Sequence, residues 1–82
     1  MAKTDYDTRL DKMFFPRSVA VVGASDIPVK WGNLILTSIL GWRYEGKVFP
    51  VNAKKDMILG LKSYPSLRDI PDDVDLAVFA IP

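Results

Sequence analysis

Two short stretches of this sequence carry residue types from which a binding site can be built, and both suit an anion. The first is Gly23-Ala24-Ser25, which follows the β-branched run Ser18-Val19-Ala20-Val21-Val22 and precedes a helical pattern from about Trp31 to Leu40. Small residues let a ligand approach the backbone, and unpaired N–H groups at a helix N-terminus, with the helix dipole, attract a phosphate. The second stretch is Asn52-Ala53-Lys54-Lys55, whose amide and ammonium groups are donors for the same chemistry. Ile81 and Pro82, ending the last apolar run, would flank a ligand held between the two. The chain contains no His and no Cys. Thiolate nucleophiles, disulfides, the usual zinc sites, imidazole acid–base catalysis and a phosphohistidine are therefore excluded within it. No residue is assigned a catalytic role, and none a metal.

The residues after the second apolar run narrow the choice of anion. A nicotinamide-binding domain normally places Asp or Glu there to hold the ribose diol, whereas this chain places Asn52, Lys54 and Lys55. A basic tip suits a ribose that itself bears a phosphate. Both NADP and coenzyme A carry one, so residue types alone leave both open, as they leave open the plainer alternative of solvated surface lysines.

Two other patterns carry less. Gly41-Trp42-Arg43-Tyr44-Glu45-Gly46-Lys47-Val48 has P-loop spacing as far as its lysine. Val48 stands where a hydroxyl must hold magnesium, and the segment follows a helix and enters a strand, the reverse of the required context. A helix cap, with Gly41 as the capping residue, and a turn explain both glycines. Asp69, Asp72, Asp73 and Asp75 offer oxygen ligands but lack the glycine-punctuated spacing of a calcium loop, and read as solvated turn residues.

The elements that must position the two stretches follow from the patterning. Ser18–Val22 reads as a buried parallel strand. Trp31, Leu34, Ile35 and Ile39, with Leu36 and Leu40, recur at helical spacing and form one apolar face with Trp31 in the core, and Gly32 allows close helix-to-strand packing. Lys47–Val51 is a second strand whose Pro50 places it near an edge. Gly60–Pro65 is a brief third strand, Ser66-Leu67-Arg68-Asp69 has the form of a capping box opening a one- or two-turn helix that Pro71 closes, and Asp75–Pro82 is a fourth strand buried on both faces. Before the first strand, Leu10, Met13, Phe14 and Phe15 form an apolar anchor closed by Pro16, and residues 1–9 read as a flexible lead. The fold class is α/β with a mostly parallel sheet. Because the pattern stops at the fourth strand, where a doubly wound domain would go on to another helix and strand, the sequence reads as the N-terminal portion of a longer protein.

Composition agrees with a soluble globular chain of one small domain: 82 residues, 49% hydrophobic, 26% charged and a net charge of +1. Nothing in that balance points to nucleic acid or to a membrane surface. The N-terminus has no apolar signal region and no run reaches the roughly 18 apolar residues of a membrane helix, so a cytoplasmic location is expected.

Several blocks, in order, resemble a known family: Leu10-Asp11-Lys12-Met13-Phe14-Phe15-Pro16-Arg17-Ser18-Val19-Ala20-Val21-Val22-Gly23-Ala24-Ser25, Gly46-Lys47-Val48-Phe49-Pro50-Val51-Asn52, Gly60-Leu61-Lys62-Ser63-Tyr64-Pro65-Ser66-Leu67 and Asp75-Leu76-Ala77-Val78. They are similar to the N-terminal CoA-binding domain of NDP-forming (ADP-forming) acyl-CoA synthetases, relatives of the succinyl-CoA synthetase α subunit. The resemblance implies a Rossmann-like domain over residues 1–82 that holds coenzyme A within a ligase interconverting an acyl-CoA, ADP and phosphate with the free acid, CoA and ATP.

It implies further that Gly23, Ala24 and Ser25 lie against the CoA phosphates, that Asn52 and Lys54 hold the phosphorylated ribose or the pyrophosphate, and that Ile81 and Pro82 flank the ligand. Where the family has Val-Asn-Pro-Lys, this chain has Ala53 in place of the proline, which loosens the loop carrying Lys54. The family's phosphate-carrying histidine and its nucleotide-binding domain have no counterpart here, so this chain is expected to bind CoA and to catalyse nothing alone. Its expected partners are the remaining ligase domains or a partner subunit, with a second copy of the chain as a further candidate, since an uncovered sheet edge favours association. Two alternatives stand beside this one: a stand-alone or fused CoA-sensing module, and an NADP-binding oxidoreductase fragment.

Overall fold

The computed structural model describes residues 15–80; Leu10, Met13, Phe14, Ile81, Pro82 and the lead over residues 1–9 lie outside the described residues. At its centre is β1 (Ser18–Val22), whose alternating side chains enter two separate apolar clusters. Val19 and Val21 face Leu36 and Ile58 on one side, while Ala20 faces Val51 and Ile70 on the other. A strand that feeds both faces is apolar on both, which is why Val19–Val22 reads as a run rather than an alternation.

On either side of β1 lies a parallel neighbour. β2 (Lys47–Val51) pairs with it in the register Ser18↔Lys47 to Val22↔Val51, and β5 (Leu76–Phe79) in the register Val19↔Leu76 to Val22↔Phe79, giving the order β2-β1-β5. Pro50 accordingly sits in an outer strand, as its missing N–H requires. The far side of β2 meets only a single parallel bridge, Val51↔Tyr64. β5 departs from the expectation of a strand buried on both faces: Leu76, Ala77 and Val78 are half-buried and Phe79 is 59% exposed. Among the described residues β1 is the most covered strand, buried at Ser18, Val19, Ala20 and Val21.

Helix α1 (Trp31–Gly41) lies over β1 with Gly32, Asn33 and Leu36 buried. Trp31, expected in the core, is 68% exposed, and Leu34 and Leu40 are exposed too. The reason is the contact at Gly32, which brings the 32/36 line of the helix nearest the strand and rotates positions 31 and 34 outward. Phe15, expected to anchor the chain, is also exposed. The helix runs through Gly41, and the left-handed residue that ends it is Arg43 (φ 56°), not Gly41.

The expected third strand is instead a hairpin. β3 (Met57–Ile58) and β4 (Leu61–Lys62) pair antiparallel around Leu59 and Gly60, both at positive φ (51° and 80°), as a tight primed turn demands. Leu67–Asp69 forms a three-residue 3-10 turn rather than a longer helix, and the Ser66 hydroxyl bonds the Asp69 carboxylate (2.8 Å) instead of a backbone N–H.

The acidic residues before β5 clasp the N-terminal end of the sheet. Asp75 accepts the Arg17 N–H (2.9 Å), the Ser18 hydroxyl donates to Asp73 O (2.7 Å), and Asp72 pairs with Lys47. Among the described residues no cluster of His, Cys, Asp or Glu is placed to hold a metal. Lys47 and Gly46 lie at this end too, opposite the Gly23 turn, which removes the P-loop reading.

Candidate functional site

At the C-terminal ends of β1 and β2 the chain leaves the sheet twice, and the two loops close on each other. Gly23, at φ 86°, turns the chain out of β1. Its N–H and that of Ala24 both donate to Val51 O, at 3.0 and 3.2 Å. These two groups, expected to be open to a ligand, are thus engaged by the end of β2. Asn52, the next residue, ties the same loops through its side chain: Nδ2 donates to Ala24 O (2.9 Å), and Oδ1 accepts from the N–H groups of Lys54 (2.8 Å) and Lys55 (3.0 Å). An ion pair between Lys55 and Asp26 (3.6 Å) links the loops further out.

The N-terminus of α1 completes the site. Its N-cap is Lys30, in an extended conformation with no side-chain cap, and the first turn carries no acid. That is the reverse of the usual preference, because Ser, Thr, Asp or Asn would satisfy the orphan N–H groups and a cation there opposes the helix dipole. Asn33 and Leu34 N–H both bond Lys30 O, whereas the Trp31 and Gly32 N–H groups have no acceptor among the described residues. An uncapped helix start with a lysine beside it is locally unfavourable and suits an anionic ligand, the kind of departure found at functional sites.

Gly23, Ala24, Ser25, Lys30, Trp31, Gly32, Asn52 and Ala80 together line a cleft of about 400 Å³. Of the residues expected at the site, Gly23, Ala24, Ser25 and Asn52 therefore converge on one cleft. Lys54 stands exposed at the tip of the loop after Asn52, outside the cleft lining. Ala80, whose N–H donates to Val22 O (2.8 Å), is the last described residue on the approach to Ile81 and Pro82. A larger, mainly apolar groove of about 1270 Å³ runs along α1 beside β5, lined by Trp31, Leu34, Ile35, Leu76 and Val78 among others, with Arg17 and Lys47 at it; it does not include the Gly23 turn.

Sequence reasoning passed over Lys30, Gly32 as a lining residue, and Asn33. The last is the informative omission. Asn33 is 7% exposed, and its Nδ2 donates to Ser25 O (3.1 Å). The signal was an amide standing within the apolar face of a helix, where a buried polar group persists only if bonded.

Comparisons with known proteins give the family of the chain as a whole. The sequence profile described as a CoA binding domain matches residues 17–82. The chain is 48% identical over 73 residues to the ADP-forming acetate–CoA ligase II of Archaeoglobus fulgidus, covering 89% of this chain and 11% of that protein. It is 40% identical over 74 residues to a trans-feruloyl-CoA synthase of an unknown prokaryotic organism, covering 90% of this chain and 10% of that protein. Among solved structures, acetyl-coenzyme A synthetase 1 of Ca. Korarchaeum cryptofilum in its apo form superposes with a TM-score of 0.86 at 46% identity, over 89% of this chain and 16% of that one. A conserved hypothetical protein of Pyrococcus furiosus superposes with a TM-score of 0.72 at 48% identity, over 80% of this chain and 55% of that one. The chain thus spans about a tenth of the curated relatives' length. By the profile match across residues 17–82 the chain belongs to the CoA binding domain family.

Proposed function

We propose that this chain holds coenzyme A in the cleft between the Gly23 turn and Asn52, and that it does so as the N-terminal part of an ADP-forming acid–CoA ligase. The observation that carries the reading is the uncapped start of α1 against the Gly23 turn, with Lys30 at the cleft, Lys54 exposed on the loop that follows Asn52 and no carboxylate directly after β2. Oriented N–H groups serve the pyrophosphate, and Lys54 serves the phosphorylated ribose. In this role Gly23, Ala24, Ser25, Asn52 and Lys54 belong to the site, and Ile81 and Pro82 flank it.

The relatives named as ligases act on different acids, acetate in one and 4-hydroxybutyrate in another, while sharing this region. Choice of acid then belongs to other parts of the protein. The chain binds CoA, catalyses nothing alone, works in the cytoplasm and meets its partners as further ligase domains or a second subunit. The apolar groove along α1, with Trp31 and Leu34 exposed at it, is a surface for such a domain to cover. Among the described residues no helix is long and apolar enough to cross a membrane.

A second reading has its own support. The matched region, 80% of this chain, makes up 55% of the P. furiosus hypothetical protein, a much larger share than in the ligases, and a free-standing CoA module would be chemically equivalent at the site. The gene product separates them. A polypeptide that continues past Pro82 and forms ATP from an acyl-CoA, ADP and phosphate supports the ligase, and a short product that binds CoA with no such activity overturns it in favour of the module.

A further inference from the structure

We infer that Asn33 and Asn52 are positioning residues that turn the Ser25 and Asp26 amides toward a phosphate of bound CoA; the inference rests on the CoA reading above. Their side chains come from different elements, α1 and the end of β2, and each donates to a successive carbonyl of one turn: Asn52 Nδ2 to Ala24 O at 2.9 Å and Asn33 Nδ2 to Ser25 O at 3.1 Å. The partners fix both amide orientations, because a carbonyl only accepts and the Lys54 and Lys55 N–H groups at Asn52 Oδ1 only donate.

Every described peptide bond is trans, so each N–H points opposite to the carbonyl that shares its plane. Ala24 O shares its plane with Ser25 N–H, and Ser25 O with Asp26 N–H. Holding the two carbonyls against Asn52 and Asn33 therefore directs the two N–H groups away from those side chains. Among the described residues neither has an acceptor, whereas Gly23 and Ala24 N–H are both spent on Val51 O. The Ser25 hydroxyl accepts the Ile27 N–H (3.0 Å), which leaves its own proton as a third donor. The turn thus divides its donors, two inward for the fold and the rest for a ligand.

Asn33 makes little sense otherwise. It is 7% exposed on a helix face whose other buried positions are Gly32 and Leu36, and asparagine is both a weaker helix former than leucine and costly to bury. Without the two amides either peptide plane is free to flip, and a flip exchanges a donor for a carbonyl oxygen facing a phosphate, converting attraction to repulsion.

The test uses the full 82-residue chain labelled with nitrogen-15. In the free protein, amide hydrogens of Ser25 and Asp26 should exchange faster than those of Gly23 and Ala24. On adding CoA, the Ser25 and Asp26 protons should move downfield while those of Gly23 and Ala24 stay. Asn33→Ala and Asn52→Ala should each bind CoA roughly ten- to a hundredfold more weakly and lose that downfield signature, with the rest of the spectrum retained. If Gly23 and Ala24 respond instead, or if a folded variant binds CoA as its parent does, the positioning role is overturned and CoA binding stands. If the parent spectrum ignores CoA at millimolar concentration, the CoA reading falls and takes this role with it. The exchange pattern is read on the parent alone, so protected Ser25 and Asp26 amides overturn the assignment even where a variant fails to fold.

Discussion

Gly32 lies so close to Gly23 that a Cβ on it would stand 1.8 Å from the Gly23 carbonyl oxygen. That separation is the hinge of the whole arrangement, because it brings the first turn of α1 onto the turn that leaves β1 and so places open helix N–H groups beside Gly23, Ala24 and Ser25. Gly32→Ala should therefore lower stability by about 3 kcal/mol or more, since the obstructing atom is backbone, and should abolish CoA binding. Thermal unfolding and calorimetry check this, and a variant with unchanged midpoint and affinity would place the helix elsewhere.

The other helix glycine should behave in the opposite sense. Gly41 would meet nothing within 4 Å if given a Cβ, and its φ is not positive. Gly41→Ala should raise stability by roughly 0.5–1 kcal/mol through helix propensity. Two residues on, Arg43 bears a left-handed conformation (φ 56°) that glycine adopts without strain, so Arg43→Gly should stabilise by about 1 kcal/mol. Urea midpoints report both.

The clasp at the other end of the sheet should give stability an acid limb. The hydrogen bond from Lys47, then the Asp73 N–H and the Lys47 charge, hold the Asp72 carboxyl below its usual 3.8, and Asp72 holds the Lys47 ammonium above its usual 10.5. A depressed carboxyl contributes stability that is present above 3.8 and is lost as pH falls through its lower folded value. A raised ammonium contributes below 10.5 and loses its contribution as pH rises through its higher folded value. Both side chains are solvent-exposed, so the effect is small and salt-sensitive. Asp72→Asn should flatten both limbs of a plot of urea midpoint against pH and leave CoA affinity at pH 7 unchanged.

The two lysines at the site should separate by the phosphate each serves. Lys30 stands at the start of α1 and lines the cleft with the Gly23 turn, and Lys54 stands exposed two residues beyond Asn52, whose Oδ1 accepts its N–H. Lys30→Ala should weaken CoA and dephospho-CoA alike, by roughly tenfold. Lys54→Ala should weaken CoA by about the same factor but leave dephospho-CoA unaffected, erasing the difference between the two ligands. A Lys54→Ala protein that still distinguishes them would remove that lysine from the ribose phosphate.

How far these features are legible in the sequence depends on how local their causes are. The bounds of β1 and β2 follow from β-branched runs, the outer place of β2 from Pro50, and the close approach of α1 from Gly32. Trp31 faced outward against expectation because one backbone contact at Gly32, not the breadth of the apolar stripe, sets the helix rotation. The β3–β4 hairpin was hidden because Leu59 takes a turn position where Asn or Asp is the usual sign. The engagement of Gly23 and Ala24 N–H by Val51 O depends on the β1–β2 register and has no signature in residue types.

Calorimetric titration of the folded chain with CoA, dephospho-CoA and NADPH tests the central claim most directly. The account predicts that CoA binds, that dephospho-CoA binds roughly ten- to a hundredfold more weakly for want of one charge-assisted contact of about 1.5–3 kcal/mol, and that NADPH binds more weakly than CoA. A folded chain that prefers NADPH, or that binds none of the three, would contradict it.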